Sequence, residues 1–196
     1  MDDIVKQAIA KWPNVPHCYG WLALDARGNW RMRDERAQQL QLAGDPLRQP
    51  ALLGFINRNY AADERGCWFF QNGPQRVYVN LEAAPFIART DPRHGLVLHT
   101  GDTVAALEGA WLSDQGALLV LADGKLAQLD DRDMAQMMGA LRLEGTVISD
   151  EQLMAWLDGS DGQLSLQYGD AAVKVERIAS AAVAQRFGFV RTPSPD

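Results

Sequence analysis

The stretch GWLALDARGNWRMRDE, Gly20–Glu35, packs two tryptophans, an Asp-Ala-Arg-Gly turn, three arginines and a closing acidic pair into sixteen residues. A four-residue connection ending in glycine fits a type I turn that closes a hairpin. Alternation along the strands then puts Leu22 and Leu24 on one face, and sets Trp30 and Met32 against Arg31 and Arg33 on the return. Two readings follow. In the structural one, Trp30 and Met32 enter the core while the arginines pair with Asp34 or Glu35 on a wet face, at about 0–1 kcal/mol for each exposed pair. In the functional one, Arg31 and Arg33 lie near Arg76 and Tyr78 of a second hairpin and form an anion-recognising patch, because guanidinium forks match carboxylate and phosphate geometry. Trp21, Arg31, Arg33, Arg76 and Tyr78 are the candidate ligand-binding residues.

Outward from this hairpin, the apolar positions Ile4, Val5, Ala8, Ile9 and Trp12 recur at helical spacing, so residues 2–12 read as a helix ended by Pro13 and Pro16. A helix-permissive run follows from Asp34 to Leu42. Pro50 opens another helix at the position that tolerates proline, with Leu52, Leu53, Phe55, Ile56 and Tyr60 as its buried face. CWFF, the turn QNGP and QRVYVNLE read as a second hairpin, with Val77, Val79 and Leu81 opposed to Arg76, Tyr78 and Asn80 on a half-buried antiparallel strand. Short apolar runs from AAPFIART to KLAQL, punctuated by DPRHG, TGD, SDQG and ADGK, read as a meander. Asp130 to Leu141 reads as a helix, Ser149 with Gln152 as a capping box, and GQLSLQYGDAAVKVERI as a last hairpin. The tail offers a short helix, an apolar FGFV and a Pro/Ser end read as frayed.

The fold expected is therefore α+β: several antiparallel hairpins and meander sheets with short flanking helices. GWLALDARGNW, GCWFFQNGPQRVYV and GAWLSDQGALLVL echo one another as glycine, tryptophan, apolar residues, a glycine-containing turn and a return strand, which allows two small, similar subdomains. The expected division is an N-terminal α+β subdomain over 1–90 and a C-terminal meander with helices over 91–196, packed as one unit.

Composition narrows function. The chain of 196 residues is 47% hydrophobic and 22% charged, ample for a core, and its net charge is −6. An acidic balance without a Lys/Arg stripe argues against nucleic acid, whose binders release counterions from phosphates. No apolar run approaches the roughly 20 residues of a membrane span. The start, MDDIVKQAIAKW, is acidic where a signal peptide is basic. The two cysteines, Cys18 and Cys67, form no CxxC pair, so reduced thiols and a cytoplasmic location are expected. Phosphate-cradling loops, a Gly-x-Ser-x-Gly elbow and zinc spacings are all missing from the sequence, so no cofactor, metal site or catalytic residue is expected. DGSDG, Asp158 to Gly162, lacks the further ligands of a calcium loop and reads as a turn.

The motifs KWPNVPHCYGWLALDARGNWRMRDE, ERGCWFFQNGPQRVYVNLEAAPFI and RFGFVRTP resemble an uncharacterised family of small proteobacterial proteins, a domain of unknown function. The order LDARGNW, DPLRQPALLGFI, ERGCWFF, RVYVNLEAAPF is similar to a second uncharacterised bacterial family. That second resemblance implies an α+β fold of repeated helix-and-sheet motifs, with a ligand-binding or signalling role. Neither resemblance implies catalytic residues. The expected function is a non-enzymatic regulatory module that binds a small anionic ligand or a protein partner, with no nucleic acid or membrane, and with homodimerisation allowed. The alternative is an enzyme acting on a small polar or anionic substrate through scattered residues such as Asp34, His17 and Cys18.

Overall fold

The computed structural model describes the chain from Met1 through Pro195, and its fold is α+β. Asp196, the last residue of the Pro/Ser end, lies outside the described residues. Two compact units divide the chain: Met1–Pro85 with the return from Phe187 onward, and Phe86–Arg186.

The first unit runs α1 (Asp3–Lys11), β1 (Cys18–Leu24), β2 (Trp30–Met32), α2 (Glu35–Gln39), β3 (Asp45–Pro46), α3 (Pro50–Arg58), β4 (Tyr60–Ala62), β5 (Trp68–Asn72) and β6 (Gln75–Leu81). Its six strands lie in the order β3-β2-β1-β6-β5-β4. Trp30 faces Leu24 and Met32 faces Leu22, so the alternation read from the opening stretch is the one observed. One sheet face carries the buried chains of Leu22, Leu24, Trp30, Val79, Leu81 and Phe70, with the buried Ile56 of α3 among them in the core. Asp34 caps α2 by accepting from the Ala37 N–H, and Pro50 stands at the start of α3, where no amide donor is needed.

Pairing across the middle of this sheet is parallel. β6 is antiparallel to β5, as its sequence pattern suggests, but parallel to β1 on its other side. The β1–β6 ladder is interrupted: Cys18 faces Val77 and Leu22 faces Val79, so four steps on β1 oppose two on β6. This bulge centres on Gly20, whose φ of +80° suits glycine. It turns Trp21 and Leu22, sequence neighbours, toward one pocket.

The second unit builds a ten-stranded sheet from β7 (Phe86–Asp91), β8 (Gly95–Leu98), β9 (Thr103–Val104), β10 (Gly109–Ser113), β11 (Leu118–Ala122), β12 (Lys125–Leu129), β13 (Leu141–Leu143), β14 (Thr146–Val147), β15 (Leu164–Tyr168) and β16 (Ala171–Ile178). Helices α4 (Met134–Met138), α5 (Asp150–Leu157) and α6 (Val183–Arg186) punctuate it. Asp123-Gly124 and Glu144-Gly145 carry positive φ at both positions, the backbone of tight two-residue hairpins. The Ser149–Gln152 capping box forms in full at the start of α5. Parallel pairs join β12 to β7 and β10 to β16, so the runs between Phe86 and Leu129 are more than a simple meander.

One turn recurs three times, in DARGN, DERGC and SDQGA. Asp25, Asp63 and Ser113 each accept through one side-chain oxygen from the backbone N–H two and four residues on. In each, the N–H of the following glycine bonds the carbonyl of the first residue, and Gly28, Gly66 and Gly116 all have φ +76°. The echo read in the sequence has this turn as its physical content in two of its three members; in the middle one the turn precedes the quoted hairpin.

Several sequence expectations are corrected. Tyr60 does not lie on the buried face of α3 but begins β4, because Asn59 ends the helix and Tyr60 pairs with Phe70. The helix expected from Asp130 to Leu141 is a 3-10 turn over Asp131–Asp133 and the short α4, and Leu141 pairs with Leu166 as part of β13. The short strands β3, β13 and β14 leave no sequence signal, since two or three residues give no alternation to read. RFGFV returns to the first unit, where Val190 bridges Cys67 and Phe189 is buried.

Candidate functional site

The first unit brings the five candidate residues onto one sheet but into three concavities. Arg31, Ala23 and Asn80 form a cross-strand row on the face opposite the main core, and Tyr78 and Arg76 follow Asn80 along β6 on that same face. Four residues of strand and two strand spacings put the Arg31 and Arg76 backbones roughly 16 Å apart.

Arg31 and Arg33 line a concavity of about 340 Å3 with Asp25, Asn80 and Glu82. Both guanidinium groups are committed within it. Arg31 Nε donates to Asp25 Oδ2 at 2.7 Å and its Nη1 to the Gly44 carbonyl at 3.1 Å. Arg33 donates to the carbonyls of Leu42, Gly20 and Ala37 at 3.1, 3.4 and 3.5 Å. Burial alone would raise the Asp25 pKa, but hydrogen bonds from Asn29, Arg31 and Arg27 outweigh it and hold the carboxyl below its ordinary value. These arginines tie the hairpin to the segment after α2. Neither pairs with Asp34 or Glu35: Asp34 caps α2.

Arg76 and Tyr78 line a groove of about 550 Å3 with His17, Tyr19, Asp63, Glu64 and Arg65. The Tyr19 ring stacks on Tyr78 at 4.6 Å and 5°, and the His17 ring meets Tyr78 edge-on at 5.7 Å. Cys67, Phe69 and Tyr78 form a small buried cluster beneath, with Ala61 and Val190 against it. Tyr78 Oη donates to Asp63 Oδ2 at 2.9 Å, and Arg65 Nε lies 3.3 Å from the same oxygen. Burial raises the Tyr78 pKa; hydrogen bonds from Arg76 and Arg65 act the other way, and the Asp63 carboxylate adds to the rise. Asp63 is held below its usual value: its hydrogen bonds from Cys67, Tyr78 and Arg65 outweigh burial, which acts the other way. Arg76 lies over the Phe69 ring at 4.5 Å and has no carboxylate partner among the described residues.

Trp21 faces a third, apolar pocket on the core side of the sheet, with Cys18, Leu22, Met32 and Ile56. His17 and Cys18 therefore point to opposite faces, and burial raises the Cys18 pKa, which keeps the thiol protonated and weakly nucleophilic. With Asp34 spent as a helix cap, the three residues of the scattered enzyme site are not assembled. Cys18 and Cys67 are not joined by a disulfide, and among the described residues no cluster of three or more metal-ligating side chains is present. Sequence reading missed His17, Tyr19 and Arg65 as groove residues; the DERG turn beside CWFF was the available signal.

In the second unit, Trp156, Lys174, Glu176 and Arg177 line a concavity of about 650 Å3. Its charges are largely occupied: Arg177 donates to the Trp156 carbonyl and packs over that ring at 4.0 Å, and Glu176 accepts from Trp111 and Arg186.

A family model described as Protein of unknown function (DUF2946) matches residues 1–194. The chain belongs to this family, DUF2944. Comparison with curated proteins returned no match. Among solved structures, a DUF1285 family protein from Silicibacter pomeroyi DSS-3 is similar at a TM-score of 0.50 and 16% identity, over 89% of this chain and 94% of that one. A DUF1285 family protein from Shewanella baltica OS155 matches at a TM-score of 0.41 and 14% identity, over 59% of this chain and 88% of that one. The first of these likenesses is one of fold. Among the described residues of the DUF2944 chain, no helix is long and apolar enough to cross a membrane.

Proposed function

We propose that this DUF2944 protein is a small-molecule-binding module whose ligand, an anion carrying a planar ring, docks in the groove of His17, Tyr19, Arg65, Arg76 and Tyr78. The observation that carries this reading is the pairing of a stacked tyrosine wall with Arg76, a guanidinium that no carboxylate neutralises among the described residues. Aromatic faces take planar rings, and a guanidinium engaged only by the Tyr78 hydroxyl and the Phe69 ring still has fork donors for a carboxylate or phosphate. Asp63 does not oppose an anion strongly, because Tyr78 and Arg65 already engage its carboxylate. Glu64, which lines the same groove and has no ion-pair partner among the described residues, does oppose it.

That gives the test a sign. Thermal-shift and calorimetric titration against aromatic carboxylates and aromatic phosphates should yield a binder. Arg76→Ala and Tyr19→Ala should each weaken it tenfold or more, while Glu64→Gln strengthens it. Arg31→Ala should leave affinity unchanged in the protein that remains folded. A binder indifferent to Arg76 and Tyr19, or no binder in the set, overturns the reading.

A further inference from the structure

The core-side pocket presents a different chemistry. Cys18, Trp21, Leu22, Met32, Ile56 and Val77 are among the residues lining a surface pocket of about 270 Å3, and the charged groups of the other two concavities are absent from this lining. An apolar concavity gives the water in it few hydrogen-bond partners, so an apolar group that displaces that water gains from leaving solvent. Asn72 and the Cys18 thiol are the polar side chains that line it. Two large apolar side chains at the lining, Trp21 at 39% and Met32 at 43%, remain exposed.

We infer that this pocket is a second ligand site, which takes an uncharged apolar ring or short hydrocarbon group. Size sets the class. A cavity of about 150 Å3 lined by aliphatic and aromatic chains holds one benzene, so about 270 Å3 admits one substituted ring. Lining chemistry sets the charge: a carboxylate or ammonium driven inside would lose its water with no counter-ion to replace it. Trp21 and Leu22, at the end of the β1 bulge, both line the site. Met32 and the Cys18 sulfur add polarisable surface suited to an aromatic ring. The site lies on the opposite sheet face from the Tyr19–Tyr78 groove, so either can fail without the other.

The test is methyl NMR of the full chain with toluene as the probe and resorcinol, a similar ring bearing two hydroxyls, as the control. Toluene is expected to shift the methyl signals of Leu22, Leu47, Leu52, Ile56 and Val77 to saturation, and resorcinol to bind at least tenfold more weakly. Leu52→Phe should fill the pocket and weaken toluene tenfold or more; Leu47→Phe, on a loop, is the second filler if the first perturbs α3. Three outcomes overturn the inference: no pocket shifts at saturating toluene, equal response to resorcinol, or binding that survives both fillers. Shifts of the same methyls on raising protein concentration without probe would overturn it too, since a second copy would then occupy the pocket.

Discussion

Asp25→Ala should cost at least about 3 kcal/mol, the low end of a sum that comes from the geometry of its turn. The carboxylate accepts from the backbone N–H groups of Arg27 and Asn29 at 3.0 and 2.8 Å, from Asn29 Nδ2 at 3.0 Å, and from Arg31 Nε at 2.7 Å. Asp25 is 6% exposed. Leaving a partly buried amide without an acceptor costs about 1–3 kcal/mol, and two backbone amides are affected. Removing one partner of a fully buried ion pair costs about 3–5 kcal/mol, but the Arg31 side chain is 27% exposed and water reaches it, so its share is nearer 1 kcal/mol. Asp25→Ser separates the contributions. Ser113 makes the same two backbone bonds in the second unit, so a serine should keep the turn and lose only the arginine, at about 1–2 kcal/mol. Urea unfolding followed by tryptophan fluorescence reads both. The sign with pH follows from linkage: a carboxyl depressed in the folded state stabilises above its unfolded value, 3.8, and loses that contribution as pH falls through the folded value. The Ala variant should therefore lose part of the acid sensitivity below about pH 4. A cost under about 0.5 kcal/mol for Asp25→Ala, or a Ser variant as damaged as the Ala one, would refute the reasoning.

Gly66→Ala and Gly116→Ala should differ sharply although both glycines have φ +76°. A Cβ at Gly116 meets nothing within 4 Å, so that variant carries only the left-handed backbone cost of about 1–2 kcal/mol, whereas a Cβ at Gly66 collides with the Gly188 carbonyl and should cost several-fold more in urea unfolding. Buried His99, whose Nδ1 accepts from the Ile87 N–H at 3.2 Å, is held at a pKa of about 3 by burial and by the Arg89 charge. Between about 3 and 6.5 the unfolded chain binds a proton the folded one does not, so stability rises with pH across that window, and His99→Asn should flatten the slope between pH 4 and 6.5. An unchanged slope would show that His99 is not the group responsible.

The hairpins were legible because their cause is local. An acceptor at the first position and a glycine at the fourth write the turn into five residues, and alternation on either side fixes which chains are buried. Parallel pairing was not legible: β1 and β6 are separated by some fifty residues, and nothing in either strand's pattern names the other as partner. Nor was the bulge, since YGWL reads as plain alternation unless Gly20 is known to adopt a positive φ.

The same distinction explains the candidate site. The composition of the opening stretch correctly identified a dense set of arginines, but whether a guanidinium is available depends on acceptors elsewhere in the chain. Arg31 and Arg33 find theirs at Gly20, Ala37, Leu42 and Gly44, three of them carbonyls supplied where the segment from α2 folds back toward the hairpin. Arg76 projects from β6 beside Tyr78, where the turn carboxylate, Asp63, is already taken up by Tyr78 and Arg65. The two halves of one sheet face thus set the same residue type in different surroundings. In the hairpin the arginines hold the backbone carbonyls of Gly20, Leu42 and Gly44 and share that of Ala37 with the Leu42 N–H. In the groove Arg76 lies over the Phe69 ring with no carboxylate partner among the described residues, and the proposed anion site rests on that difference.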